Sequence, residues 1–295
     1  MSGNRTVAQH SGGRSVTAAP RAACVIGWPV EHSRSPLIHN YWLKRYGIAA
    51  EYRREAVRKE EFEAFIGTLA ARGYVGANVT VPHKEAAFAL SQPDERARAV
   101  GAVNTLWLEG NVLRSTNTDV EGFLDNLDVC APHWDRDAAK ALVLGAGGAA
   151  RAVIYGLLSR GVERIVVANR TASRAEALQK AFGKHVKVAD WGSLEGELAD
   201  TALLVNTTTL GMHGQPALTL DLDSLGRHAT VADIVYVPVV TPLLAAAKAR
   251  GLATADGLGM LLHQAVRGFS LWFGKTPEVT GELRALVEAD LETAT

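Results

Sequence analysis

From residue 22 onward, apolar positions alternate between short continuous runs and stretches spaced three and four apart, the patterns of buried strands and amphipathic helices. Residues 23–27 read as a strand and residues 36–46 as a helix stopped by Gly47. Residues 60–71 place Phe62, Phe65, Ile66 and Leu69 on one helical face, with Gly73 closing the helix. A short strand over 77–80 precedes a helix over 83–90, and residues 106–108 and 112–113 flank a Glu109-Gly110-Asn111 turn as a small hairpin. A second run follows Ala131-Pro132: strand 141–144, helix 149–159, strand 164–168, helix 172–182, then strands 203–206 and 230–234. Such alternation implies right-handed βαβ units and a mostly parallel sheet, so the expected class is α/β. A length of 295 residues suggests two domains of that kind.

Composition narrows the partners. Lys+Arg and Asp+Glu stand at 31 each, which leaves no basic field for nucleic acid and no polybasic face for a membrane. A small-molecule substrate is expected, handled by a monomer or homodimer. No apolar run is long enough to span a bilayer. Cys24 and Cys130 form no CxxC pair or zinc-ligand spacing, so neither a disulfide framework nor a metal site is expected, and a reducing cytoplasm fits. The nine histidines show no HExxH spacing, and no G-x-S-x-G accompanies His32 and Ser33, which argues against a metalloprotease or a serine hydrolase. Residues 1–20 are rich in Ser, Gly and Arg and lack acids and a hydrophobic core segment. They are expected to form a disordered extension; an organellar transit peptide is the alternative.

The chemistry begins at Gly145-Ala146-Gly147-Gly148-Ala149-Ala150, which follows an apolar strand and opens an apolar helix. In this G-x-G-x-x-A pattern the first glycine permits a tight turn, the second lets backbone approach a pyrophosphate, and the small residue lets helix pack on strand. Small residues also serve plain close packing, but here both flanks are right for a dinucleotide. The next strand ends in Asn169-Arg170-Thr171, with Arg174 one turn on. No acid stands there for a ribose 2′-hydroxyl, and two arginines are present for a 2′-phosphate, so NADP is the expected cofactor.

In the first half, Ser35 followed by Pro36 reads as an ordinary helix start with Ser35 as N-cap. Equally, the hydroxyls of Ser33 and Ser35 beside a helix N-terminus would suit a carboxylate. In Asn78-Val79-Thr80-Val81-Pro82-His83-Lys84, polar residues end a strand and Lys84 enters the first turn of a helix, where its charge opposes the macrodipole. A surface lysine is the commoner explanation, and a functional one the alternative. Asn104 and Asp119 belong to two further polar clusters beside apolar runs, and Asp119 taken alone reads as an N-cap.

Together these segments resemble the shikimate dehydrogenase family from residue 22 onward, and 255–261, Ala-Asp-Gly-Leu-Gly-Met-Leu, matches it as well. The resemblance implies a substrate-binding domain over residues 21–118 plus 257–295 and a Rossmann-like NADP domain over 119–256, with the site in the cleft. It implies Lys84 and Asp119 as the catalytic pair. Ser33 and Ser35 would hold a carboxylate; Thr80, Asn104 and Gln264 would bind ring hydroxyls, with Tyr236 nearby. Gly145, Gly147, Gly148, Ala149, Asn169, Arg170, Thr171, Arg174 and Gly257 would meet the cofactor. The implied activity is NADP-dependent reduction of 3-dehydroshikimate, with quinate or aminoshikimate dehydrogenase as the sister alternative. Ser115-Thr116 stand before Asn117-Thr118-Asp119 where family members often carry a glycine.

Overall fold

The computed structural model describes residues 21–136 and 139–293; the extension expected over residues 1–20 lies outside them. Two six-stranded sheets organise the described residues. The first holds β1 (Arg21–Gly27), β2 (Ala50–Ala56), β3 (Tyr74–Val79), β4 (Gln92–Pro93), β5 (Thr105–Glu109) and β6 (Val112–Thr116), in the order β2-β1-β3-β5-β6-β4. It is mixed: β1 pairs in parallel with β2 and β3, whereas β5 runs antiparallel to both β3 and β6 as the 105–116 hairpin. Helices α1 (Ser35–Arg45), α2 (Phe62–Gly67), α3 (Lys84–Ala89) and α4 (Glu95–Val100) connect these strands.

The second sheet holds β7 (Lys140–Leu144), β8 (Arg164–Ala168), β9 (Val186–Ala189), β10 (Leu203–Asn206), β11 (Thr230–Asp233) and β12 (Ala253–Ala255). Its order is β12-β11-β10-β7-β8-β9 and every pairing is parallel, the Rossmann order with a topological switch between β7 and β10. The near-continuous apolar runs of β7, β8 and β10 follow from burial on both faces. Two apolar clusters cover that sheet and two more cover the first.

Helices α5 (Asp119–Cys130) and α9 (Gly257–Phe273) connect the halves, and α10 (Gly281–Thr293) packs with α9. α5 and α9 cross at near backbone contact. A Cβ on Gly122 would lie 2.7 Å from Met260 O, and one on Gly259 would lie 1.8 Å from Asn126 Oδ1.

The helix expected over 60–71 is shorter. A 3₁₀ turn (Lys59–Glu61) leads into α2, and the chain leaves the helix where Thr68 Oγ1 donates to the carbonyls of Ala64 and Phe65. Its four apolar residues are buried nonetheless. The 83–90 helix contracts to α3 at both ends: His83 takes the N-cap position, its ring stacked on Phe62 at 4.3 Å, and Leu90 the C-cap.

Candidate active site

The carboxyl ends of β1 and β3 and the N-termini of α5 and α9 meet around a cavity of about 380 Å³. Its wall carries an ion pair: Lys84 Nζ donates to Asp119 Oδ2 at 2.9 Å. Lys84 is the first residue of α3, where the helix dipole works against it; Asp119 opens α5, where the dipole favours a carboxylate. Thr118, not Asp119, takes the N-cap position, and the Asp119 amide donates to Asn117 Oδ1 at 3.0 Å.

Asn104 orients the pair. Its Nδ2 donates to Asp119 Oδ1 at 2.8 Å, and its Oδ1 accepts from the Thr118 amide at 2.8 Å and from the Thr118 and Thr105 hydroxyls at 3.1 and 3.0 Å. Asn78 supports that arrangement from β3, donating to Asn104 O and Thr105 Oγ1 while accepting from the Tyr52 hydroxyl at 2.6 Å. One N–H of the Asn104 amide is left for the cavity, which Asn104 lines.

Ser33 and Ser35 both line the cavity. Ser35 is not the N-cap of α1: that position falls to Arg34, whose guanidinium has no acceptor to cap with, and the Ser35 amide donates instead to Ser33 Oγ at 3.3 Å. Arg34 lies between them, its Nε 2.6 Å from Asp290 Oδ2 on α10. Thr80, Tyr236, Gly257 and Gln264 complete the polar and backbone lining, and Ala149 alone represents the glycine loop. Burial pushes the Tyr236 hydroxyl pKa up, against the opposing charge of Arg34. Several lining residues are not among the sequence candidates, His32, Arg34, Asn78, Ile234, Met260, Leu261 and Ala265 among them. Met260 and Leu261 sit on α9 within the recognised 255–261 segment, and Ile234 ends an expected strand.

The remaining nucleotide candidates lie at the carboxyl ends of β7 and β8 in the second sheet. Gly145 has φ +106°, a left-handed turn that suits glycine, and its amide donates to Ala168 O at 2.8 Å, which sets the 169–174 turn beside it. Gly147 is the N-cap of α6 (Gly148–Ser159). Gly147 and Gly148 are exposed, and a Cβ on either would meet nothing within 4 Å, so their backbone is open to a ligand. Asn169 Nδ2 donates to Thr171 O at 2.9 Å. Arg170, Thr171 and Arg174 are exposed at the start of α7 (Ala172–Phe182), the two guanidinium groups facing solvent as a dinucleotide 2′-phosphate requires. The chain's own residues therefore fit an NADP-type ligand.

Three family models match the chain: the shikimate dehydrogenase substrate binding domain at residues 25–106, shikimate / quinate 5-dehydrogenase at 132–212, and the shikimate 5′-dehydrogenase C-terminal domain at 257–286. A shikimate dehydrogenase (NADP(+)) of Rhodopseudomonas palustris is 63% identical over 276 residues, 94% of this chain and 99% of that one. The chain belongs to the shikimate dehydrogenase family. Among solved structures, the shikimate 5-dehydrogenase of Thermus thermophilus in complex with NADP(H) and shikimate is 34% identical, with a TM-score of 0.79 over 93% of this chain and 100% of that one. A quinate dehydrogenase from Corynebacterium glutamicum in complex with NAD is 32% identical, with a TM-score of 0.85 over 92% of this chain and 99% of that one. Among the described residues no helix is long and apolar enough to cross a membrane.

Proposed function

We propose that this chain catalyses the reversible, NADP-dependent reduction of 3-dehydroshikimate to shikimate, the CH–OH oxidoreduction of the shikimate pathway. The observation that carries it is the Lys84–Asp119 pair at 2.9 Å on the wall of a cavity that Ser33 and Ser35 also line. NADPH, when bound, supplies a hydride to the ring carbonyl carbon. Gly145, Gly147, Gly148, Ala149 and Gly257 would hold it, with Asn169, Arg170, Thr171 and Arg174 at its 2′-phosphate.

Ketone reduction also needs a proton donor and fixed placement of the ring. Lys84 Nζ would give its proton to the developing alkoxide oxygen and regain one from solvent; oxidation reverses the transfer. Asp119 keeps the ammonium aimed into the cavity, and Asn104 keeps Asp119 aimed at the ammonium. Ser33 and Ser35 would meet the substrate carboxylate, and Thr80, Asn104 and Gln264 the ring hydroxyls, with Tyr236 beside the ring. Residues 21–118 with 257–295 would then form the substrate domain and 119–256 the nucleotide domain, in a monomer or homodimer. Both cysteines are free, as suits a cytoplasmic enzyme.

The test is an initial-rate assay crossing shikimate and quinate with NADP and NAD, read at the NADPH absorbance band. Shikimate should be favoured over quinate by ~10- to a few hundredfold in kcat/KM, because a tetrahedral C1 would aim the carboxylate differently at the serine pair. Ser33→Ala and Ser35→Ala should each raise the KM for shikimate. Equal use of quinate would leave the family and overturn the substrate; no turnover would indicate a metabolite sensor.

A further inference from the structure

The stretch from Ile234 to Thr241 leaves the second sheet, places Ile234 and Tyr236 in the cavity wall and returns as α8 (Pro242–Ala249). A single buried carboxylate holds both ends of it. Asp233, the last residue of β11, accepts from the Val235 amide at 3.0 Å through Oδ1 and from the Thr241 hydroxyl at 2.7 Å through Oδ2. Asp233 is 2% exposed and Thr241 0%. Burial pushes the Asp233 pKa up to about 6, so near neutral pH the carboxylate is ionised and can accept from every donor around it.

Oδ1 accepts a further bond from Asn206 Nδ2 at 2.9 Å. Asn206 in turn fixes the loop after β10, accepting from the Thr208 amide and hydroxyl at 3.0 and 2.7 Å and donating to Leu210 O at 3.2 Å. That loop adjoins the glycine turn, since Thr207 Oγ1 donates to Leu144 O at 2.7 Å. It also meets the Tyr236 loop, where the His213 amide donates to Val237 O at 2.8 Å. On the other side the N-terminus of α9 presses on the same segment: a Cβ on Gly257 would lie 2.3 Å from Ile234 O.

We infer that Asp233 is a positioning residue of the reaction: by closing the 234–241 loop onto Thr241 it sets where Tyr236 meets the substrate. This rests on the proposed placement of Tyr236 at the substrate ring. A carboxylate needed only for folding would be satisfied by any buried donors. Here its two oxygens take the two ends of the one loop that carries a cavity tyrosine, and a loop freed at one end samples more positions than the substrate tolerates.

The experiment is a double-variant cycle on the holoenzyme. Thr241→Val removes the closing hydroxyl and should raise the KM for shikimate about three- to tenfold, the worth of one hydrogen bond, while the KM for NADP moves less than about twofold. Thr241→Ser should restore the native value. Tyr236→Phe should raise the same KM, and the double variant should be no worse than the more severe single one, because both losses act at one side chain. Asp233→Asn, which keeps the hydroxyl that caps α8, carries the same cycle if Thr241→Val does not fold. Factors that multiply, or an unchanged KM for shikimate in a folded Thr241→Val protein whose Tyr236→Phe counterpart is impaired, would overturn the clamp alone. A neutral Tyr236→Phe would instead remove Tyr236 from the site and overturn the placement beneath the proposal.

Discussion

Asn104 gives Asp119 a hydrogen bond of 2.8 Å on the oxygen opposite the one that Lys84 takes. With both carboxylate oxygens engaged, Asp119 cannot rotate without losing a partner. Asn104→Ala should therefore act on chemistry as well as on stability. It strips one oxygen of its donor and leaves the Thr118 amide facing a void, with a loss of about 1–3 kcal/mol in unfolding free energy. kcat should fall by ~10- to 100-fold as the lysine loses its fixed aim, since a small misplacement at the reacting atoms is costly. Thermal unfolding and initial rates check the two effects separately; a destabilised variant with native kcat would take Asn104 out of the orienting role.

Lys84→Ala should lower kcat by ~10² to 10⁴ with a small change in KM, the usual contribution of a positioned proton donor. Asp119→Asn should be strongly impaired too, because the ammonium loses the charge that holds it. Combining them should add little, since the pair works as a unit. Rates measured in both directions decide; near-native turnover of Lys84→Ala would assign the proton to another group.

At the far end of the nucleotide surface, NADP should be preferred over NAD by about a hundredfold in kcat/KM, equivalent to about 3 kcal/mol of charge-assisted bonding to the 2′-phosphate. Arg170→Ala combined with Asn169→Asp should move preference toward NAD by supplying a carboxylate for the ribose hydroxyl. Equal rates with both cofactors in the native enzyme would contradict the role given to these residues.

His39 should make the fold sensitive to acid. It is fully buried on the inner face of α1, stacked on Tyr52 at 4.2 Å and edge-on to Trp42 at 5.7 Å, and burial pushes its pKa down to about 3, with Asn78 opposing the shift. Unfolding returns it to an ordinary value near 6.5, so between those two pH values the unfolded chain binds the additional proton. The stability contributed by the neutral ring is complete above about pH 6.5 and is lost as pH falls toward 3, about 2 kcal/mol by pH 5. His39→Leu should flatten the decline in denaturation midpoint between about pH 7 and pH 5, whatever it costs at neutral pH. Parallel slopes for the two proteins would disprove the linkage.

What the sequence makes legible is chemistry tied to neighbours along the chain. The glycine loop shows itself because strand, turn and helix are contiguous, and Lys84 because it stands where a helix least wants a cation. β2 does not show: as Ala-Glu-Tyr-Arg-Arg-Glu-Ala at the sheet edge it buries only Tyr52 fully, and its polar residues hide the pattern. α9, by contrast, does carry a helical signal: His263, Arg267 and Ser270 recur four and three apart on its less buried face, opposite buried Leu258, Leu262, Ala265, Phe269 and Trp272. Ser35 and Asp119 each sit one position inside the helix start that the sequence suggests, where boundaries depend on which amide a side chain meets. Asp233 carries no signal, since Asn206 and Thr241 reach it only through the folded sheet.

The crossing of α5 and α9 has a mechanical consequence. Each helix opens in the cavity wall, one at Asp119 and the other at Gly257, and glycines bring their backbones together a turn or less further on. Such a seam resists shear but permits a small rotation about its own line, like the pin of a pair of tongs. The Lys84–Asp119 ion pair sits at the pin and the 145–150 glycine loop on one of the arms. A swing of the arms large enough to admit or release a cofactor would thus displace the Arg170 end by far more than it displaces Asp119, and the acid would stay in register through each cycle of opening.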